Sequence, residues 1–258
     1  MYQTLRIERQ AATATIWLDR PEVHNAFNET LVEELAAATR ALEADASVRV
    51  VVLAGAGRNF CAGADLNWMG RAAAAGEEEN LRDARRFAAM LDQLARLGKP
   101  TLARVHGAAL GGGVGLAAAC DICVAAADAS FAMSEVRLGL IPAVISPYVL
   151  RAIGARQCLR YMQSAERFSA VRAAELGLVH ELAADGELDA RVGSICAALC
   201  AGGPAAQAAA KALVLAVGGR GTGAQVVEET AQAIARQRGT EEAREGMAAF
   251  LAKRAPLW

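Results

Sequence analysis

The sequence lacks an excess of either charge: 27 Lys and Arg stand against 28 Asp and Glu, for a net charge of -1. No Lys/Arg-rich tract concentrates the positive charge. A chain so balanced has no electrostatic footprint for nucleic acid or an anionic membrane, and neither is expected as a partner. The N-terminal MYQTLRIERQ lacks an apolar segment and a cleavage pattern, which sets the expectation of a cytoplasmic protein. There is no G-x-x-x-x-G-K-[ST], so the P-loop reading fails, and no G-x-S-x-G, which argues against a serine hydrolase. Histidine is scarce. His24, His106 and His180 are scattered, and each reads as a hydrogen-bonded structural residue.

Cysteine is present, but not in a convincing ligand pattern. Cys120-x-x-Cys123 and Cys196-x-x-x-Cys200 invite a zinc reading. Cys120 ends an alanine-rich stretch, however, and Cys123 begins a strand-like one. Buried small apolar side chains are the better reading, and no metal site is expected. The most apolar stretch, residues 107–127, has Asp121 as its only charge and is long enough to suggest a membrane span. Its glycines, Asp121 and the turn-like break at Cys120-Asp121 argue against a span.

Strand and helix alternate along the first half. TLRIERQ and ATIWLD read as strands around a turn, and VRVVVLAG, KPTLARVHG and DICVAA as further strands. Asn28 reads as a helix N-cap, followed by Leu31, Leu35 and Leu42 at helical spacing. Over 77–97 the periodicity predicts a helix burying Leu81, Ala84, Ala88, Leu91 and Leu94. Beyond about residue 145 strand signals disappear, and helices are predicted over 146–154, 155–163, 169–176, 187–201, 204–217, 222–238 and 240–252. The result is an α/β core with parallel pairing over 1–200, and an appended helical region over 201–258.

Two strand-to-helix loops stand out: Gly63-Ala64-Asp65 after VVVLAG, and Gly111-Gly112-Gly113 after TLARVHG. HGAALGGGVGLAAAC holds five glycines in fifteen residues, although glycine is costly within helices. Small residues there let free backbone N–H groups approach a ligand. One reading is a phosphate cradle, since Gly113-x-Gly115-x-x-Ala118 fits the loose dinucleotide fingerprint. Another is plain helix-on-strand packing. A third is that both loops aim an amide at one point, forming an oxyanion hole for a thioester enolate.

FCAGADL (60–66), HGAALGGGVGLAAACDI (106–122), SEVRLGLIP (134–142) and AAELGLV (173–179) resemble the enoyl-CoA hydratase/isomerase (crotonase) family, and the likeness runs from LDRPEVHNAFN to AFLAKRAP. In detail, residues 64–86 and SEVRLGLIPAVISPYVLRAIG are similar to bacterial methylglutaconyl-CoA hydratases, which act in leucine or related branched-chain degradation. The resemblance implies a crotonase-like spiral of ββα units, a helical C-terminal trimerisation region, and a homo-oligomer, either a trimer or a dimer of trimers. It implies an acyl-CoA thioester substrate and no separate cofactor, coenzyme A being part of the substrate. It places the oxyanion hole at the amides of Ala64 and Gly112. It assigns the coenzyme A moiety to Arg20, Val23, Ala26, Ala62, Asp65 and Leu66, with Phe250 and Lys253 contributed by a neighbouring subunit.

Typical hydratases of the family carry two glutamates, and here the corresponding positions are Gly115 and Glu135. Glu135 follows Met133-Ser134 and precedes an apolar stretch, which favours a raised pKa and acid/base work. Its alternative is a helix N-terminal acid beside a Ser134 cap. The resemblance implies hydration of a 2-enoyl-CoA, branched and acidic as in 3-methylglutaconyl-CoA. The alternatives are a double-bond isomerase working with Glu135 alone, or an acyl-CoA-binding relative without activity. Trp68 and Met69 read either as acyl-pocket walls or as core. Arg71, Arg137 and Tyr148 are the nearest partners by sequence for a distal carboxylate.

Overall fold

Alternation in TATIWL produces the cleanest strand. In β2 (Thr13–Leu18), Ala14, Ile16 and Leu18 are buried while their neighbours are half exposed. It pairs antiparallel with β1 (Leu5–Gln10). These elements belong to a computed structural model that describes residues 2–258. The chain then crosses through α1 (Glu29–Ala44) to β3 (Val50–Gly55), which lies parallel to β2. Asn28 caps α1 by accepting a hydrogen bond from Leu31 N–H at 3.0 Å, and Leu31, Leu35 and Leu42 are buried.

After β3 come α2 (Leu66–Ala74), α3 (Glu77–Arg96), β4 (Thr101–Val105), β5 (Ala108–Leu110), α4 (Gly112–Ala119), β6 (Ile122–Ala126) and β7 (Ser130–Ala132). A 3-10 turn (Glu135–Leu138) leads to α5 (Ser146–Ser164), β8 (Phe168–Ser169), α6 (Ala170–Leu176), β9 (Glu181–Ala183) and α7 (Leu188–Cys200). The chain ends in α8 (Pro204–Val217), α9 (Ala224–Arg238) and α10 (Glu241–Leu251).

Two sheets result. The larger has the order β1-β2-β3-β4-β6-β9, parallel from β2 onward, and the smaller has the order β5-β7-β8. Successive turns of chain give one segment to each sheet and then a helix. Thus β4, β5 and α4 form one unit, and β6, β7 and α5 another. β3 followed by the bridge Cys61–Ala109 starts a third. This is the α/β core expected from the sequence. β3 is buried along its whole length because both faces are covered. Val51 and Leu53 join the main core with α1 and α3, while Val50 and Val52 pack against Leu188, Val192 and Cys196 of α7.

Several expectations shift. Strand signals do not end at 145: β8 and β9 follow, at two and three residues too short to show a period. The buried face of α3 is Phe87, Met90, Leu91, Leu94 and Ala95, while Leu81 and Ala84 are exposed because the first turns run beyond the core. The helix boundary read at 154/155 is a break inside α5 at Gly154, with φ 74° and ψ 161°. The apolar stretch 107–127 folds as β5, α4 and β6, and no single helix among the described residues is long and apolar enough to cross a membrane. Cys120 and Cys123 are buried, and burial pushes the Cys123 thiol up to about 12 and raises that of Cys120 as well.

Helices α8 to α10 bury only Ala249. A polar tie docks them instead, Lys211 pairing with Asp121 at 2.9 Å, while Glu242 of α10 accepts from the amides of Ala205 and Ala206 at the start of α8 and holds the tail together. Their exposed side chains include Val214, Val227, Met247, Phe250 and Leu251.

Asn28→Ala removes the cap of α1 while leaving its apolar face intact. It is expected to cost about 1 kcal/mol, a fall of about 2–4 °C in Tm, with Asn28→Ser nearly neutral; thermal unfolding of the three proteins checks this.

Candidate active site

Residues 61–65 run between two neighbours. On one side Cys61 N–H donates to Ala108 O and Leu110 N–H donates to Cys61 O, which stitches the segment to β5. On the other, Ala62 N–H donates to His24 O, Phe27 N–H to Gly63 O and Asp65 N–H to Phe27 O. Regular alternation would turn Gly63 back toward β5. Its φ of +92°, open to glycine at little cost, breaks the alternation. In the resulting bridge between Phe27 and Ala64, residues 63 and 65 face the loop, so the amide of Ala64 points away from it, toward β5 and the start of α4.

There the second loop arrives. Gly111, at φ +49°, ends β5 and caps α4, and a Cβ placed on Gly63 would lie 4.0 Å from Gly111 Cα. Neither Ala64 N–H nor Gly112 N–H has a protein acceptor among the described residues. The Gly112 amide is also one of the orphan donors of a helix start, where the dipole favours negative charge.

The third participant is Glu135, at the start of the 3-10 turn. Ser134 precedes it without a side-chain capping bond. A Cβ on Gly111 would lie 3.1 Å from Glu135 Oε1, and Glu135 Oε2 is buried with no hydrogen-bond partner. Burial raises the carboxyl pKa, opposed only in part by the residue's own amide.

Ala64, Gly112 and Glu135 therefore line one cavity of about 510 Å³. Ala62, Leu66, Met69, Phe87, Leu138, Ile141 and Ile145 also face it, and among the described residues Glu135 is its only ionisable side chain. Trp68 sits behind it, edge-on to Phe27 at 5.4 Å, with its indole N–H donating to Asp83. Phe250 and Lys253, at and just beyond the end of α10, do not line it. Neither do Arg71, which is paired with Glu29, nor Arg137 and Tyr148.

Arg20 and Asp65 turn to each other. Their side chains pair at 2.9 Å and are only 15% and 7% exposed. Arg20 also donates to Ala26 O, and Asp65 accepts from Asn67 N–H and Trp68 N–H at the start of α2. Burial alone would raise the Asp65 pKa, but the bonds from Arg20 and the two amides prevail and hold it below the ordinary value. Val23 and Ala26 belong to the loop so clamped. Sequence reasoning missed Asn25, which is fully buried at φ +57°. Its Nδ2 donates to Ala56 O and Asn59 O while its Oδ1 accepts from Arg20 N–H. The pair His24-Asn25, both in the left-handed region that asparagine tolerates, was the available signal.

The bareness of the glycine run has a different cause from the one its chemistry suggested. Beyond Gly111, the space is taken by protein. A Cβ on Gly112 would lie 2.2 Å from Phe27 Cε1, one on Gly113 2.4 Å from Cys61 O, and one on Gly115 2.2 Å from Ile145 Cγ2. The three histidines each make a hydrogen bond: His24 to Asn59, His106 to Gly57 O and Arg104, His180 to Cys123 N–H.

Known proteins share this architecture. An enoyl-CoA hydratase structure from Shewanella pealeana superimposes with a TM-score of 0.96, 40% identity, and coverage of 99% of this chain and 96% of its own. Pseudomonas aeruginosa AtuE does so with a TM-score of 0.94, 40% identity and 99% coverage of both. The hydroxycinnamoyl-CoA hydratase-lyase of Pseudomonas fluorescens is 37% identical over 183 residues, 70% of this chain and 66% of its own length. Residues 8–258 match the enoyl-CoA hydratase/isomerase family, and the chain belongs to it.

Proposed function

We propose that the protein is an enoyl-CoA hydratase that adds water across the 2,3 double bond of an enoyl-CoA thioester. One observation carries the reading: the acceptor-free amides of Ala64 and Gly112 open into the same cavity as the unpartnered carboxyl of Glu135. The amides hold the thioester oxygen and stabilise the enolate that forms as oxygen adds to Cβ. Glu135 takes a proton from the attacking water and delivers one to Cα. Two main-chain donors fixed by separate loops need no reorganisation as charge develops.

The cavity wall favours an apolar acyl chain. Sequence likeness points to an acidic branched substrate, yet none of Arg71, Arg137 and Tyr148 faces the cavity to meet a distal carboxylate. Double-bond isomerisation is a second reading, favoured by the same inventory: with one carboxylate, Glu135 removes a proton from C2 of a 3-enoyl thioester and returns it to C4. The exposed apolar side chains of α8 to α10 suit a homo-oligomer in which a neighbour covers them, placing Phe250 and Lys253 against the coenzyme A of another site.

Glu135→Gln is expected to lower turnover of 2-enoyl-CoA by at least ~10²-fold while acyl-CoA still binds. Steady-state rates together with calorimetric binding test this, and undiminished turnover removes the reading. The same variant reports on burial. A carboxyl whose pKa is raised by folding loses stability as pH climbs from the unfolded toward the folded value. Glu135→Gln is therefore expected to raise Tm at pH 7 and leave it unchanged near pH 4, and calorimetry at the two pH values checks the sign.

Arg20→Lys keeps the charge but cannot grip Asp65 and Ala26 O together. With the loop behind Ala64 loosened, kcat is expected to fall roughly 10- to 100-fold with KM changed much less, as measured by initial rates.

A further inference from the structure

Among the described residues the cavity has one ionisable side chain, Glu135, and the packing shows what excludes a second. Helix α4 brings Gly111 against Glu135, and Gly115 lies one turn further along, its amide donating to Gly111 O at 3.3 Å. One turn is about 5.4 Å, so a side chain rooted at 115 would start about one turn along the axis from the Gly111–Glu135 contact. That volume belongs to Ile145. A Cβ on Gly115 would lie 2.2 Å from Ile145 Cγ2 and 2.8 Å from Ile145 Cβ. Ile145 is 2% exposed, lines the cavity, and sits where α5 begins, its carbonyl accepting from Tyr148 and Val149 N–H. Being β-branched, it has little rotameric freedom with which to move aside.

We propose that Ile145 is the residue that sets reaction specificity in this site, a reading that rests on the enoyl thioester chemistry above. By filling the space over Gly115 it denies the cavity a second carboxyl and keeps that wall apolar. Every proton transfer then passes through Glu135, and the balance between adding water and moving the double bond is set by how dry Ile145 keeps the wall.

The test compares wild type with Ile145→Gly, which removes both Cγ2 and Cβ, Gly115→Glu, the double variant combining them, and Ile145→Glu, which brings a carboxyl into the same volume from the other side. Each is given but-2-enoyl-CoA and a 3-enoyl-CoA. Gly115→Glu alone is expected to lose activity on both, because its side chain meets Ile145. The double variant is expected to hydrate about tenfold or more faster than Ile145→Gly, with a second ionisation in its pH profile, and Ile145→Glu to raise the ratio of hydration to isomerisation. A stability cycle with Gly115→Ala stands beside the kinetics: its Tm loss, roughly 3 °C or more with Ile145 present, is expected to shrink in Ile145→Gly. The proposal is overturned if Gly115→Glu hydrates as well as the double variant, or if Gly115→Ala costs the same with and without Ile145. It is also overturned if folded Ile145→Glu leaves the ratio unmoved. Wild type inactive on every enoyl thioester would instead overturn the underlying functional reading.

Discussion

The inversion at Gly63 is the constraint on which the site depends. Residues 61–65 are held on both sides by main-chain hydrogen bonds, and the positive φ at Gly63 switches which side each residue faces. Without it the amide of Ala64 would be consumed by the neighbouring loop. With it, one donor is left over, aimed where the start of α4 supplies another. Main-chain donors in a folded protein are nearly always satisfied, and these two, which line one cavity, are not.

The surroundings of that pair hold it still. Asn25 ties the 20–27 loop to residues 56 and 59, and the Arg20–Asp65 pair locks the same loop to the first turn of α2. The ring of Phe27, stacked on Phe87 at 4.6 Å, fills the space beside Gly112. Glu135 differs from all of these. Its carboxyl has been taken from water without compensation, an arrangement that costs stability and raises the affinity of the group for a proton.

Much of this was legible in the sequence where the governing contacts are local. Asn28 capped its helix through a bond three residues away, and VVVLAG announced a strand covered on both faces. The two small-residue loops were visible as exceptions to helix propensity. What stayed hidden depends on contacts between distant positions. Phe27 against Gly112, Ile145 against Gly115 and Arg20 with Asp65 join segments 30 to 85 positions apart, and no periodicity reports them. The face of α3 was misjudged for a related reason: its first turns extend beyond the core, so the regular pattern there buries nothing. The glycines themselves read as room for a ligand, whereas most of them make room for other parts of the protein.

The tail has its own logic. Three helices that bury a single alanine are joined to the core through the Gly202-Gly203 connection, the Lys211–Asp121 ion pair and a few bonds such as Trp258 to Ala201 O. The cavity with Glu135 is lined by residues 27–145 alone, and the tail barely shares their core. Substitutions along the exposed faces of α8 to α10 can therefore accumulate without disturbing the packing around residues 61–65, Gly112 and Glu135.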